Sequence, residues 1–174
     1  LMTAQIANGG YKIKPKILTD DNQLTSEQVK KAMQTTNLNE FNIPLYDDQK
    51  NIKIIQEAMF SSTNELYGTS YKSRIDDPKY QFAGKTGTAQ VKRISKRERE
   101  LDLKTFQIPY EERDHALYVA FGPYKNPRYS LSIIVEHGGS GSSAAAPMAT
   151  KLFKLIVDRH QYRKQIPDYK EFNI

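Results

Sequence analysis

The 174-residue sequence predicts an α+β fold, an antiparallel sheet flanked by helices. Three observations carry that prediction. Leu117, Val119 and Phe121 alternate with their neighbours, Pro123 to Arg128 supplies a turn, and Tyr129, Leu131, Ile133 and Val135 alternate again, which is the pattern of a β-hairpin. Tyr80 to Val91 is short of helix signals and reads as another strand. Around these strands apolar residues recur at helical spacing, as Ile52, Ile55 and Met59 and again as Met148, Leu152, Phe153 and Ile156.

In chain order, Leu1 to Ala7 reads as a helix end closed by Asn8-Gly9-Gly10, because glycine accepts the left-handed conformation that ends a helix. Tyr11, Ile13 and Ile17 alternate with Lys12, Lys14 and Lys16, a half-buried edge strand interrupted by Pro15. Thr25 with Gln28 resembles a capping box ahead of Val29, Ala32 and Met33, a short amphipathic helix. Asn37 to Asp48 is polar and irregular, Gln49 to Phe60 is a second amphipathic helix, and Ser61 to Pro78 is a loop carrying Gly68-Thr69. After the Tyr80 to Val91 strand, Lys92 to Asp114 mixes charges densely and reads as a solvated surface excursion with some helix. Gly138 to Ser143 reads as a flexible connection, and Pro147 fits the opening turn of the last helix. Neither an internal repeat nor a domain linker is visible.

Composition sets limits on function. The chain has no cysteine, which excludes a disulfide framework, a thiolate metal site and a cysteine nucleophile in this sequence. The net charge is +6, but its basic residues are interspersed with acids and accompany no nucleic-acid motif, so no nucleic-acid partner is expected. No stretch approaches the roughly 18 apolar residues of a membrane span, and no signal peptide is visible. Because helical character starts at once, the chain is expected to be cut from a longer parent.

Chemistry concentrates in Phe82-Ala83-Gly84-Lys85-Thr86-Gly87-Thr88-Ala89-Gln90-Val91. A phosphate loop would need glycine five residues before Gly84, where Lys79 stands, and would open a helix instead of continuing as strand. A Lys-Thr-Gly strand of the kind found in penicillin-binding serine acyltransferases fits better. On an edge strand, the Lys85 ammonium would put positive charge over a cleft and attract a carboxylate. Thr86 would offer that carboxylate a hydroxyl, and Gly87, lacking a side chain, would let an extended peptide lie against the strand. The Thr88 amide would then serve as half of an oxyanion hole, a donor that lowers the barrier by about 3 to 4 kcal/mol in another serine enzyme.

The longer string Ala-Gly-Lys-Thr-Gly-Thr-Ala-Gln resembles the class B penicillin-binding proteins. Ile6 to Gly10, the Gln49 to Phe60 helix with Gly68-Thr69, Asp114 to Phe121, Val135 to Gly139 and Ser143 to Pro147 are similar in order to the penicillin-binding protein 2 type, the elongation-specific peptidoglycan transpeptidases. The resemblance covers nearly the whole chain and implies that residues 1–174 are the C-terminal portion of a transpeptidase domain. It implies a catalytic Lys85 and Thr88 amide, and substrate binding by Thr86, Gly87 and Thr88. The substrates would be peptidoglycan stem peptides and the inhibitors β-lactams, with no metal and no cofactor. The parent would be anchored in the bacterial inner membrane, with its catalytic domain in the periplasm and partners in the elongation machinery.

The family's nucleophile motif, Ser-x-x-Lys, is absent from the sequence, so the chain is expected to be inactive alone. Ser62-Thr63-Asn64 matches the family's Ser-x-Asn but stands too close to Lys85, and reads as a polar helix end. His115, His137 and His160 have no partners at metal spacing. His115 is expected at a strand start on the rim of the site. Two other readings remain open: a β-lactamase or β-lactam sensor fragment, and a non-catalytic scaffold with a degenerate fold.

Overall fold

The structure, a computed structural model, describes residues 1–13, 15, 43–93, 100 and 103–164. The helix expected at Thr25 to Met33, and the alternation at Lys14, Lys16 and Ile17, lie outside these residues. Three strands, β1 (Ala83–Ala89), β2 (His115–Gly122) and β3 (Tyr129–Val135), form one antiparallel sheet in the order β1-β2-β3. Helices α1 (Met2–Ala7), α2 (Gln49–Asn64) and α3 (Ala146–Lys164) pack around it. The predicted α+β class is therefore the observed one. Among the described residues, no helix is long and apolar enough to cross a membrane.

Local chemistry accounts for the element ends. Asp48 caps α2 by accepting the Lys50 amide at 2.8 Å, which satisfies one orphan donor of the first turn. Helix α2 runs to Asn64, four residues beyond the Phe60 that periodicity suggested, since Ser61, Ser62, Thr63 and Asn64 add a polar last turn. Helix α1 ends at Gly9 and Gly10, both at φ +90°, with the Gly10 amide donating to Gln5 O at 2.7 Å. Beyond it the described residues show a single bridge, Tyr11 to Pro44, where an edge strand was expected. The Lys92 to Asp114 excursion contributes two short 3₁₀ turns, Thr105–Gln107 and Tyr110–Glu112.

The register assigns the faces of the sheet. Ala83, Lys85, Gly87 and Ala89 stand opposite Phe121, Val119, Leu117 and His115, and paired residues share a face. Ala83 and Phe121 on this side pack with Met59 of α2 and with Ile6 and Ala7 of α1. Ala116, Tyr118 and Ala120 look the other way and are sealed by Ala145, Ala146, Ala149 and Phe153, with Phe82 stacked on Phe153 at 4.8 Å.

The two predicted apolar stripes hold in part: Ile52 and Met59 of α2 and Phe153 of α3 are buried as expected. In α3 the buried residues include Ala146, Ala149, Phe153 and Val157, whereas Met148 and Leu152 are exposed. Ala146 and Ala149 let the start of the helix lie close to the sheet, and Phe153 packs beside them against Phe82, so Met148 and Leu152 are left outside the contact. In α2 the buried line is Ile52, Met59 and Thr63, with Gln56 donating to Ile6 O at 2.7 Å, and Ile55 faces outward.

The connection expected to be flexible, Gly138 to Ser143, is held. Gly139, at φ +80°, donates its amide to Asp114 O at 2.8 Å, and Gly141–Ala145 forms a π-helical turn that opens α3. Gly141 is buried against the sheet, so close that a side chain there would run into Leu117 O and the backbone of Gly87. Pro147 does fall in the first turn of α3, as expected.

Candidate active site

Residues 84 to 88 are strand, not helix, which removes the phosphate-loop reading on structural grounds. β1 is an edge strand: β2 occupies one side, and no strand among the described residues occupies the other. Lys85 is exposed, and its ammonium donates to Thr86 O at 2.8 Å. Thr86 and Gly87 are half-buried and Thr88 is exposed. The four residues are thus contiguous on the border of the sheet but do not share a face. Lys85 and Gly87 lie on the α2 side, and Thr86 and Thr88 on the α3 side.

Glycine at 84 has a reason that the sequence did not reveal. A Cβ built there would lie 2.5 Å from Tyr118 Cζ and 2.7 Å from Tyr118 Cε1. The Tyr118 ring crosses beneath the strand at this point to reach the end of α2. Its phenol meets Thr63 Oγ1 at 3.0 Å and Ser70 Oγ at 3.0 Å in a fully buried cluster. One proton assignment satisfies every member: Thr63 donates to Tyr118, Tyr118 to Ser70, and Ser70 to Ser62 O at 3.0 Å. Burial pushes the Tyr118 phenol up from its ordinary range, with the Ser70 and Thr63 hydrogen bonds opposing, so it stays protonated at neutral pH.

Ser62-Thr63-Asn64 is confirmed as a helix end. Thr63 is committed to the buried cluster, and Asn64 Nδ2 donates to Phe60 O at 3.0 Å and Phe82 O at 2.9 Å, tying α2 to the start of β1. Ser62 lies 3.2 Å from Thr69 Oγ1, which in turn lies 3.4 Å from Thr86 Oγ1. The sequence marks Gly68-Thr69 as a loop and as part of the family resemblance, but gives no sign that Thr69 meets Thr86 or that Tyr118 and Ser70 share a buried cluster.

His115 opens β2 opposite Ala89, on the Lys85 side of the sheet. Its Nδ1 accepts the His137 amide at 3.0 Å, so its ring proton sits on Nε2. His137 holds a left-handed φ of 54°, and its own Nδ1 donates to Arg113 O at 3.1 Å. The two rings meet edge to face at 4.8 Å, which locks Asp114-His115 against Val135 to Gly139. Among the described residues, no cluster of histidine and carboxylate groups could hold a metal ion.

The family model described as the penicillin-binding protein transpeptidase domain matches residues 2–154. The chain belongs to the penicillin-binding protein transpeptidase domain family. Its relatives in that family include the peptidoglycan D,D-transpeptidase MrdA of Haemophilus influenzae, 30% identical over 164 residues, covering 91% of this chain and 24% of the relative. MrdA of Acinetobacter baumannii is 47% identical over 73 residues, covering 41% of this chain and 10% of the relative. Similar solved structures are of the penicillin-binding protein 2 type, in keeping with the resemblance. One is Pseudomonas aeruginosa PBP2 in complex with WCK 5153, with a TM-score of 0.57 and 28% identity over 91% of this chain and 29% of that chain. Another is the complex of PBP2 with MreC from Helicobacter pylori, with a TM-score of 0.56 and 26% identity over 94% of this chain and 24% of that one. The chain thus spans about a quarter of the length of the Haemophilus relative and of these solved chains.

Proposed function

We propose that residues 1–174 are the C-terminal portion of the catalytic domain of a peptidoglycan D,D-transpeptidase and supply the Lys-Thr-Gly wall of its active site. The observation that carries the reading is an exposed Lys85 on the outer border of the sheet, followed by Thr86, Gly87 and Thr88, in a chain of this family. A ligand carboxylate arriving at that border would meet the Lys85 charge and the hydroxyls of Thr86 and Thr88. Gly87 leaves the strand bare where a peptide would lie along it.

The reaction is acyl transfer through a serine that this sequence does not contain in a Ser-x-x-Lys motif. The serine oxygen attacks the carbonyl carbon of the penultimate D-Ala, and the Thr88 amide steadies the developing oxyanion. The peptide C–N bond breaks, and the leaving D-Ala amine takes a proton. An amine of a neighbouring stem peptide then attacks the ester and returns the serine hydroxyl. β-Lactams acylate the same serine. His115 stands at the rim, with one ring nitrogen committed to the backbone. The full-length protein would be held in the inner membrane with this domain in the periplasm. Partners in the elongation machinery are supported by the solved complex of PBP2 with MreC among the structural neighbours.

Labelling with a fluorescent penicillin tests the proposal. The full-length protein should form a covalent band on a denaturing gel, its Lys85→Ala variant should acylate at least ten-fold more slowly, and the 174-residue chain alone should not label. A labelled band from this chain, or unchanged kinetics in Lys85→Ala, would overturn it.

A further inference from the structure

We propose that Thr69 is a positioning residue for the Thr86 hydroxyl, a role that rests on the transpeptidase reading of the β1 border. Thr86 has one hydroxyl proton, and a carboxylate ligand needs that proton pointed outward, towards the ligand. If Thr86 spends it on a protein acceptor, it presents only lone pairs to the anion. Ser62, Thr69 and Thr86 form a row of hydroxyls at 3.2 Å and 3.4 Å. Run in the direction Ser62 to Thr69 to Thr86, the row gives Thr86 Oγ1 a donor and leaves its own proton free for the ligand. Each donor in such a row polarises the next.

The turn that carries Thr69 is fixed on both sides. Gly68 sits against the last carbonyls of α2, where a Cβ would lie 2.6 Å from the Ser62 carbonyl carbon and closer still to the Ser61 and Ser62 oxygens. Ser70 donates both its amide and its hydroxyl to Ser62 O, each at 3.0 Å, and its hydroxyl also accepts from the buried Tyr118 phenol. Thr69 is therefore an exposed side chain on an immobilised turn, aimed at a residue of the proposed binding strand. The Thr69 hydroxyl meets those of Ser62 at the end of α2 and of Thr86 on β1, and Thr69 is outside the buried core, which is what separates this role from a packing role.

The test is a double-mutant cycle on the full-length protein, reading the second-order rate constant of acylation by a labelled penicillin. Thr69→Val, isosteric at an exposed position, should slow acylation about five-fold or more, and Thr69→Ser should stay within two-fold of wild type. In a Thr86→Val background the further change Thr69→Val should cost less than two-fold, because the proton it orients is gone. Thermal unfolding midpoints should match wild type within error for the Thr69 variants. Normal acylation by Thr69→Val, or losses that simply multiply with Thr86→Val, would overturn the inference. An unimpaired Thr86→Val would instead count against the transpeptidase reading itself.

Discussion

Replacing Gly84 with alanine places a methyl group where the Tyr118 ring now lies, 2.5 Å from Cζ. Neither side yields easily. Gly84 is the second residue of a paired strand, opposite Ala120. Tyr118 is fully buried, edge-on to Phe82, and its phenol is held by Thr63 and Ser70. Overpacking in a closed core costs about 1–3 kcal/mol, and displacing the phenol forfeits two buried hydrogen bonds at about 1 kcal/mol each. The combined expectation is roughly 3–5 kcal/mol. Urea unfolding of the chain and of Gly84→Ala, followed by circular dichroism, reads the loss as a shift in midpoint at unchanged slope. Made together with Tyr118→Leu, which vacates the space, the alanine should cost at least about 1 kcal/mol less than it does alone. A loss below about 0.5 kcal/mol, or strict additivity with Tyr118→Leu, would refute the crossing of Tyr118 beneath the strand.

Tyr118→Phe keeps the ring and removes the proton that links α2 to the Gly68–Ser70 turn. Thr63 and Ser70 still face each other at 3.3 Å, so the loss should be about 1–2 kcal/mol in the same assay, and an unchanged midpoint would refute it. The Tyr80 hydroxyl, then the Lys79 ammonium, hold the exposed Asp158 carboxyl below its ordinary range, across 2.6 Å and 3.1 Å contacts. A depressed carboxyl stabilises the fold above its unfolded value, near about 4, and that contribution is lost as pH falls through the folded value. Asp158→Asn should therefore melt below wild type at pH 6, and the gap should close below about pH 4; a gap that persists in acid would refute the ion-pair account.

Short-range pattern exposed most of the fold. The hairpin of β2 and β3 was legible because alternation and turn chemistry agree, and the Asn8-Gly9-Gly10 stop because only glycine suits two consecutive left-handed positions. The site strand was legible through the Lys85-Thr86-Gly87 string. Periodicity found Ile52, Met59 and Phe153 but misplaced Ile55, Met148 and Leu152, since it ranks side chains by size, whereas close approach selected Ala149 over Met148. The buried cluster of Thr63, Ser70 and Tyr118 was illegible because its members are separated by up to 55 residues and each looks ordinary alone. Gly84 and Gly141 were the available signals: each admits another residue's atoms into the space a side chain would fill, and which atoms those are is decided only by the fold.

A crystal structure of the full-length protein acylated by a penicillin addresses the site assignment most directly. The drug's carboxylate should lie within hydrogen-bond distance of the Thr86 and Thr88 hydroxyls, with its carbonyl oxygen facing the Thr88 amide. A ligand bound away from the outer border of residues 85–88 would contradict the assignment.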